Sequence, residues 1–227
     1  MEIRSLNLRG GYEGLVELGS REQEVDIFCL QEVGMGKEDK FYELEGYGTI
    51  GGVGGYIKKE EGSVVSILIR NEWKGRYVVL GRCQWKIGNR LEVGKGKIVN
   101  VWNVYLRQGK HEENLGRMED KGNVVWVGDF NAWSERRGGE KGEWNRERVL
   151  VEDWVDEWGL KIENEVGVGT RYEARSGKER VLDLAVNGGG VELDCKVGEG
   201  IVDLDHKPLV VKVKVEGWEV EDKGWKK

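Results

Sequence analysis

Val124-Val125-Trp126-Val127-Gly128-Asp129-Phe130-Asn131-Ala132 is the stretch from which the fold is best read. Its first half is apolar, rich in Val and Trp, and predicts a strand over 123–128. The strand then stops at a glycine, and two polar residues, Asp129 and Asn131, stand just beyond it. Alone, such residues are as consistent with a capped turn as with chemistry.

The same device recurs along the chain. Strand-like runs rich in Val, Ile or aromatic residues lie at 2–8, 25–31, 64–70, 77–85, 97–105, 181–186 and 209–215. Val211-Lys212-Val213-Lys214-Val215 alternates, apolar on one face and charged on the other. Helical patterns are fewer. Val151, Trp154, Val155 and Trp158 fall on one stripe of a helix expected over 146–158, with Asn145 to cap its start and Gly159 its end. The stripe tryptophans read as core. A second helix is expected around 11–22 and a weaker one at 112–119. Many strands with interspersed helices give an α/β class, two mixed sheets packed face to face with helices outside.

Length and composition bound the rest. At 227 residues the chain suits one large domain, expected over 1–216 and followed by a short polar tail, 217–227. No apolar run approaches the ~20 residues of a membrane span. The start, Met1-Glu2-Ile3-Arg4, has no basic region leading into an apolar core, so no signal peptide and no membrane partner are expected, and the protein reads as soluble and intracellular. Cys29, Cys83 and Cys195 are scattered and odd in number, which argues against disulfides and against a zinc site; Cys29 reads as a core residue. The 36 glycines against a single proline predict marginal stability, since a glycine inside a strand or helix costs roughly 0.5–1 kcal/mol relative to alanine. The net charge of −6 weighs against a nucleic-acid partner. Two modestly basic islands, 136–148 and 171–180, weigh the other way. His111, within Lys110-His111-Glu112-Glu113, is expected on the surface.

Polar residues gather at the strand ends, where a rigid sheet aims its catalytic groups. Asn7 ends the first run, Gln31-Glu32 the second, Asn103 and Tyr105 the fifth. Asp183 interrupts Val181-Leu182-Asp183-Leu184, and Asp205-His206 precede the last run. Glu32 and Asp205 are hard oxygen donors suited to Mg²⁺ or Mn²⁺. Asn7 and Asn131 offer amides to orient a phosphate or a water, and Tyr105 a phenolic donor. Asp183 and His206 suit a carboxylate–imidazole pair that holds the ring in one tautomer and favours its charged form. Hydrolysis of a phosphodiester needs a positioned water, neutralised phosphate charge and help for the leaving oxygen. These residue types cover all three.

Six motifs in order, Leu6-Asn7-Leu8-Arg9-Gly10, Asp26-Ile27-Phe28-Cys29-Leu30-Gln31-Glu32, Asn103-Val104-Tyr105, Gly128-Asp129-Phe130-Asn131-Ala132, Leu182-Asp183-Leu184 and Asp205-His206-Lys207-Pro208-Leu209, resemble the endonuclease/exonuclease/phosphatase superfamily, the DNase I-like group. Within it the chain most resembles the endonuclease domain of non-LTR, LINE-type retrotransposons, with Gly169-Thr170-Arg171-Tyr172 part of that likeness. The resemblance implies a four-layered α/β sandwich and a metal-dependent endonuclease that nicks DNA. It implies Glu32 on the metal with Asn7 and Asp205 nearby, and Asp129 activating a water with Asn131 orienting it. Tyr105 would contact the phosphate, and Asp183 would pair with His206 to stabilise the developing charge. Thr170 and Arg9 would face the substrate. A reverse-transcriptase domain on the same polyprotein, and nuclear action, follow if the retroelement likeness holds. Leu204 stands where such domains usually carry Ser, Leu106-Arg107-Gln108 follow Tyr105 without the usual Pro, and Trp133 occupies a position where relatives often carry His. Two other readings remain open: a phosphoesterase of the same fold acting on a small-molecule or lipid phosphate, and a non-catalytic remnant.

Overall fold

The computed structural model of the chain describes residues 1–9, 17, 25–33, 44–51, 65–83, 85–94, 96–118, 120, 122–133, 145–201 and 204–216. The helix expected at 11–22, apart from Glu17, and the tail 217–227 lie outside the described residues.

Two six-stranded sheets carry the fold. The first runs in the order β13 (Val191–Val197), β14 (Leu209–Val215), β1 (Glu2–Asn7), β2 (Ile27–Gln31), β4 (Ser66–Arg70), β3 (Tyr47–Gly51). The second runs β5 (Tyr77–Arg82), β6 (Lys86–Gly94), β7 (Lys97–Tyr105), β8 (Val124–Asp129), β12 (Asp183–Gly188), β9 (Lys161–Ile162). A separate hairpin joins β10 (Arg171–Glu173) to β11 (Lys178–Arg180). Each large sheet is antiparallel except for one pair near its middle, β1–β2 and β7–β8. The architecture is the α/β sandwich of two mixed sheets that the sequence predicts.

The apolar face of each sheet turns inward. Ile3, Ile27, Cys29 and Ile67 from the first sheet meet Leu91, Val101, Val125 and Val127 from the second in one buried cluster. Each such side chain contributes roughly 1.5–3 kcal/mol on leaving water. A polar thread runs through this core. Gln31 Nε2 donates to Ser5 Oγ and to Asn103 Oδ1, and Asn103 Nδ2 donates to the carbonyls of Leu30 and Ser66. It ties the ends of β1, β2, β4 and β7 together. All three cysteines are free, with Cys29 fully buried.

Outside the second sheet lie two helices, α1 (His111–Leu115) and α2 (Arg146–Glu157). The stripe of α2 packs as expected: Val151, Trp154 and Val155 are buried, with Trp154 edge-on to Trp126 at 5.8 Å. Asn145 caps it by accepting from Arg148 N–H.

Strands β3, β6, β9, β10, β11 and β13 were not expected from the sequence. In β6 the polar Asn89 and Arg90 and the glycines break up the apolar run. Gly88 has a packing reason, because a Cβ there would lie 2.3 Å from the ring of Trp102, which stacks on Trp126. His111 corrects an expectation. It is buried, because its ring turns under β8 and Nε2 meets the Phe130 carbonyl at 2.6 Å, while its charged neighbours Glu112 and Glu113 face solvent.

Candidate active site

The two parallel pairs end at a common edge. In the register of β1–β2, Asn7 lies opposite Gln31; in β7–β8, Tyr105 lies opposite Asp129; in β8–β12, Asp183 lies opposite Asp129. The sheets meet there through Asn7. Its Nδ2 donates to Glu32 Oε1 at 2.9 Å and to Asp129 Oδ2 at 3.0 Å. Its Oδ1 accepts from Arg9 N–H at 2.9 Å.

The chain leaves β1, β2 and β8 through a left-handed turn. Arg9, Glu32 and Asn131 have φ of 46°, 48° and 48°, and among the described residues they are the non-glycine positions with positive φ. Each costs of order 1–3 kcal/mol and persists only where the surroundings hold it. At Asn131 the surroundings are plain. Its N–H donates to Asp129 Oδ1 at 2.9 Å and its Nδ2 to the Leu106 carbonyl at 3.0 Å. Asn145 adds a bond from Nδ2 to the Asn131 carbonyl at 2.7 Å, so the helix cap also braces the site.

Asp129, Asp183 and His206 are buried together, each offering an atom within 4.8 Å of the others. His206 Nδ1 lies 2.9 Å from Asp183 Oδ2. Burial alone would depress the His206 pKa, but the charge and hydrogen bond of Asp183, with Asp129 and Asp205 behind, outweigh it and hold it at about 9. The ring is therefore cationic at neutral pH. Burial first, and the Asp183 charge second, push Asp129 up to about 7, against the pull of His206, Asn131 and Asn7. A charged imidazole has no lone pair for a metal, so this trio suits proton handling better than metal binding.

Hard oxygens for a divalent cation lie beside it. Glu32 has one oxygen on Asn7, and Asp205 Oδ1 is buried without a partner among the described residues. A buried carboxylate oxygen left without a partner is one that an Mg²⁺ or Mn²⁺ ion would satisfy. Asp205 Oδ2 is taken by Arg9 Nη1 at 2.8 Å and Arg171 Nε at 3.0 Å.

Thr170 has a different place from the one its motif implies. It is fully buried, and its Oγ1 accepts from the N–H groups of Leu182 and Asp183, both at 3.0 Å. Its carbonyl accepts from Lys207 N–H at 2.7 Å. The residue thus positions the segments that carry Asp183 and His206. Thr170→Val orphans two buried donors and should destabilise the protein by about 2–4 kcal/mol. Thr170→Ser should restore most of the loss, and thermal melts of the two variants decide it. Three further positioning residues escaped the sequence reading. Asn164 donates to the Asp183 carbonyl at 2.9 Å and accepts from Ala185 N–H at 2.9 Å; Asn145 braces the site beyond its capping role, and Arg171 does so beyond its place in the Gly169-Thr170-Arg171-Tyr172 motif and in a basic island.

No family model matches the chain, and no curated protein matches its sequence. Solved structures do match its fold. The endonuclease domain of TRAS1, a telomere-specific non-LTR retrotransposon, aligns at 18% identity with a TM-score of 0.70, over 95% of this chain and 99% of that one. The catalytic domain of APE2 from Xenopus laevis aligns at 14% identity with a TM-score of 0.73, over 94% and 92%. The inositol polyphosphate 5-phosphatase domain of SPsynaptojanin, in complex with inositol (1,4)-bisphosphate and calcium ion, aligns at 13% and 0.53, over 94% and 84%.

Proposed function

We propose that this chain, which has the DNase I-like fold of the endonuclease/exonuclease/phosphatase superfamily, is a divalent-metal-dependent phosphodiesterase that nicks DNA. The observation that carries the reading is one hydrogen-bonded edge. There Asn7 links Glu32 to Asp129, and the Asp183–His206 pair is buried beside them. The fuller alignment with the retrotransposon endonuclease and APE2, against the phosphatase, supports a nucleic-acid substrate.

Asp129, with its carboxyl near neutrality, takes a proton from the attacking water, and Asn131 fixes the carboxylate through its N–H. His206, held cationic by Asp183, neutralises charge on the phosphoryl oxygens. Glu32 and Asp205 Oδ1, with Asn7 orienting Glu32, would hold the Mg²⁺ or Mn²⁺ ion. When bound, the ion neutralises phosphate charge and polarises the P–O bonds. Tyr105, level with Asp129 at the end of β7, contacts the phosphate. A nick leaves a free strand end, which a reverse-transcriptase domain on the same polyprotein would extend in the nucleus.

Purified chain with supercoiled plasmid tests this. Relaxation is expected with Mg²⁺ or Mn²⁺ and not with EDTA. Asp129→Ala should slow it by roughly 10²–10⁴-fold. A folded chain that relaxes no plasmid with either metal, yet hydrolyses a small phosphodiester, would move the activity to a small-molecule phosphate.

A further inference from the structure

Asp205 Oδ2 receives two guanidiniums on one oxygen, Arg9 Nη1 at 2.8 Å and Arg171 Nε at 3.0 Å. At this carboxylate one negative charge faces two positive ones. Two like charges this close repel, and a second anion would relieve them. Neither arginine makes a further side-chain hydrogen bond or ion pair among the described residues, although Glu173 lies within electrostatic reach of Arg171, which leaves Nη1 and Nη2 of Arg171 and Nε and Nη2 of Arg9 as open donors. Both heads reach solvent, with the Arg9 side chain 55% exposed and the Arg171 side chain 33%.

Each arginine is also fixed relative to the reacting groups. Arg9 sits two residues past Asn7, which holds its N–H. Arg171 pairs with His206 in an isolated β-bridge, and Tyr172 N–H donates to the Asp205 carbonyl at 2.7 Å. An anion bound by this fork would therefore lie next to the segments that carry His206 and Asn7. Guanidinium forks match the paired oxygens of a phosphate in geometry as well as charge.

We infer that Arg9 and Arg171, braced on Asp205, bind a second phosphate of the substrate, one flanking the phosphate that is cut. The site thereby selects a polymeric phosphodiester backbone over an isolated phosphodiester. The inference rests on the nuclease reading and names the part of the site that enforces it.

The test compares duplex DNA with a minimal dialkyl phosphate, for wild type, Arg171→Gln, Arg171→Lys and the double variant Arg9→Gln/Arg171→Gln. Duplex binding is read by fluorescence anisotropy in EDTA, and cleavage of both substrates with Mn²⁺. Arg171→Gln should weaken duplex binding about tenfold and raise KM more than it lowers kcat. Its loss on duplex should exceed its loss on the minimal diester by about tenfold. Arg171→Lys, keeping charge without the fork, should recover part of the binding. In a salt titration, the slope of log K should flatten by about one for each arginine removed. Equal losses on the two substrates would overturn the inference, since the arginines would then act only by holding Asp205. Unchanged duplex binding in the double variant, with wild type binding well, would overturn it while leaving the nuclease reading intact. A wild-type chain that neither binds nor cuts duplex would remove both.

Discussion

Asp183→Asn should lower phosphodiester hydrolysis by roughly 10²–10⁴-fold at neutral pH and move the pH profile to lower pH. On the proposed mechanism Asp129 must be ionised to accept a proton. Burial and the Asp183 charge raise its pKa to about 7, so the rate climbs as pH rises through that value. His206 must be protonated, and its pKa stands at about 9 because Asp183 outweighs burial, so the rate falls as pH rises through that value. Asparagine keeps the size of Asp183 and an oxygen to accept from His206 Nδ1, but removes the charge. Burial then dominates at His206, whose pKa falls, and the alkaline limb moves down. Asp129 loses the neighbouring charge that raised it, and the acid limb moves down as well. A residue that only held the backbone would lower the rate without moving either limb. The profile of kcat/KM against pH for both proteins is the measurement, and unshifted limbs would sink the proposed division of labour between Asp129 and His206.

Much of this arrangement is legible in the residues, and the reason is local. Gly128-Asp129-Phe130-Asn131 stops a strand and places its carboxylate at the edge; polar groups stand at strand ends again at Asn7 and Glu32, where β1 and β2 stop, and at Asp183, where β12 begins. The stripe Val151, Trp154, Val155 declares a helix because only one face of it meets the sheet. Legibility ends where contacts depend on closure of the whole fold. Asn7 meets Asp129 across 122 positions, and Arg9 meets Asp205 across 196. No spacing along the chain reports that both sheets end at one edge. Nor does residue type separate roles that burial assigns. Thr170 and His111 look like surface residues by their neighbours in sequence. The structure turns both side chains inward onto backbone groups, Thr170 onto the N–H groups of Leu182 and Asp183 and His111 onto the Phe130 carbonyl. Strand β6 hid because two of its buried positions are Gly88, which answers to Trp102 across the sheet, and the polar Asn89, although Leu91 and Val93 alternate with Arg90 and Glu92.

The glycines also divide by what surrounds them, and that division predicts the largest stability effect in the molecule. Gly128 has φ of 145°, a region L side chains rarely adopt, and a Cβ built there would lie 2.0 Å from the Val104 carbonyl oxygen and 2.9 Å from Val104 N and C. Those atoms are backbone of the neighbouring strand. Val104 and Leu184 flank Gly128 in the sheet from either side, so β8 cannot shift without breaking both ladders. Backbone strain and steric overlap add, and Gly128→Ala should cost about 3–5 kcal/mol. In a chain of this size that is a fall in Tm of roughly 6–20 °C. Gly75 is the contrast. Its φ is 82° but nothing lies within 4 Å of an added Cβ, so Gly75→Ala should cost only about 1 kcal/mol. The difference isolates close approach from positive φ. It also explains why a glycine precedes Asp129. Only a residue without a Cβ lets β8 run this close to β7 at the point where the strand delivers the Asp129 carboxylate to Asn7. Thermal melts of the two variants side by side decide it, and a Gly128→Ala protein as stable as Gly75→Ala would show that the edge can yield and that the motif's glycine serves something other than this contact.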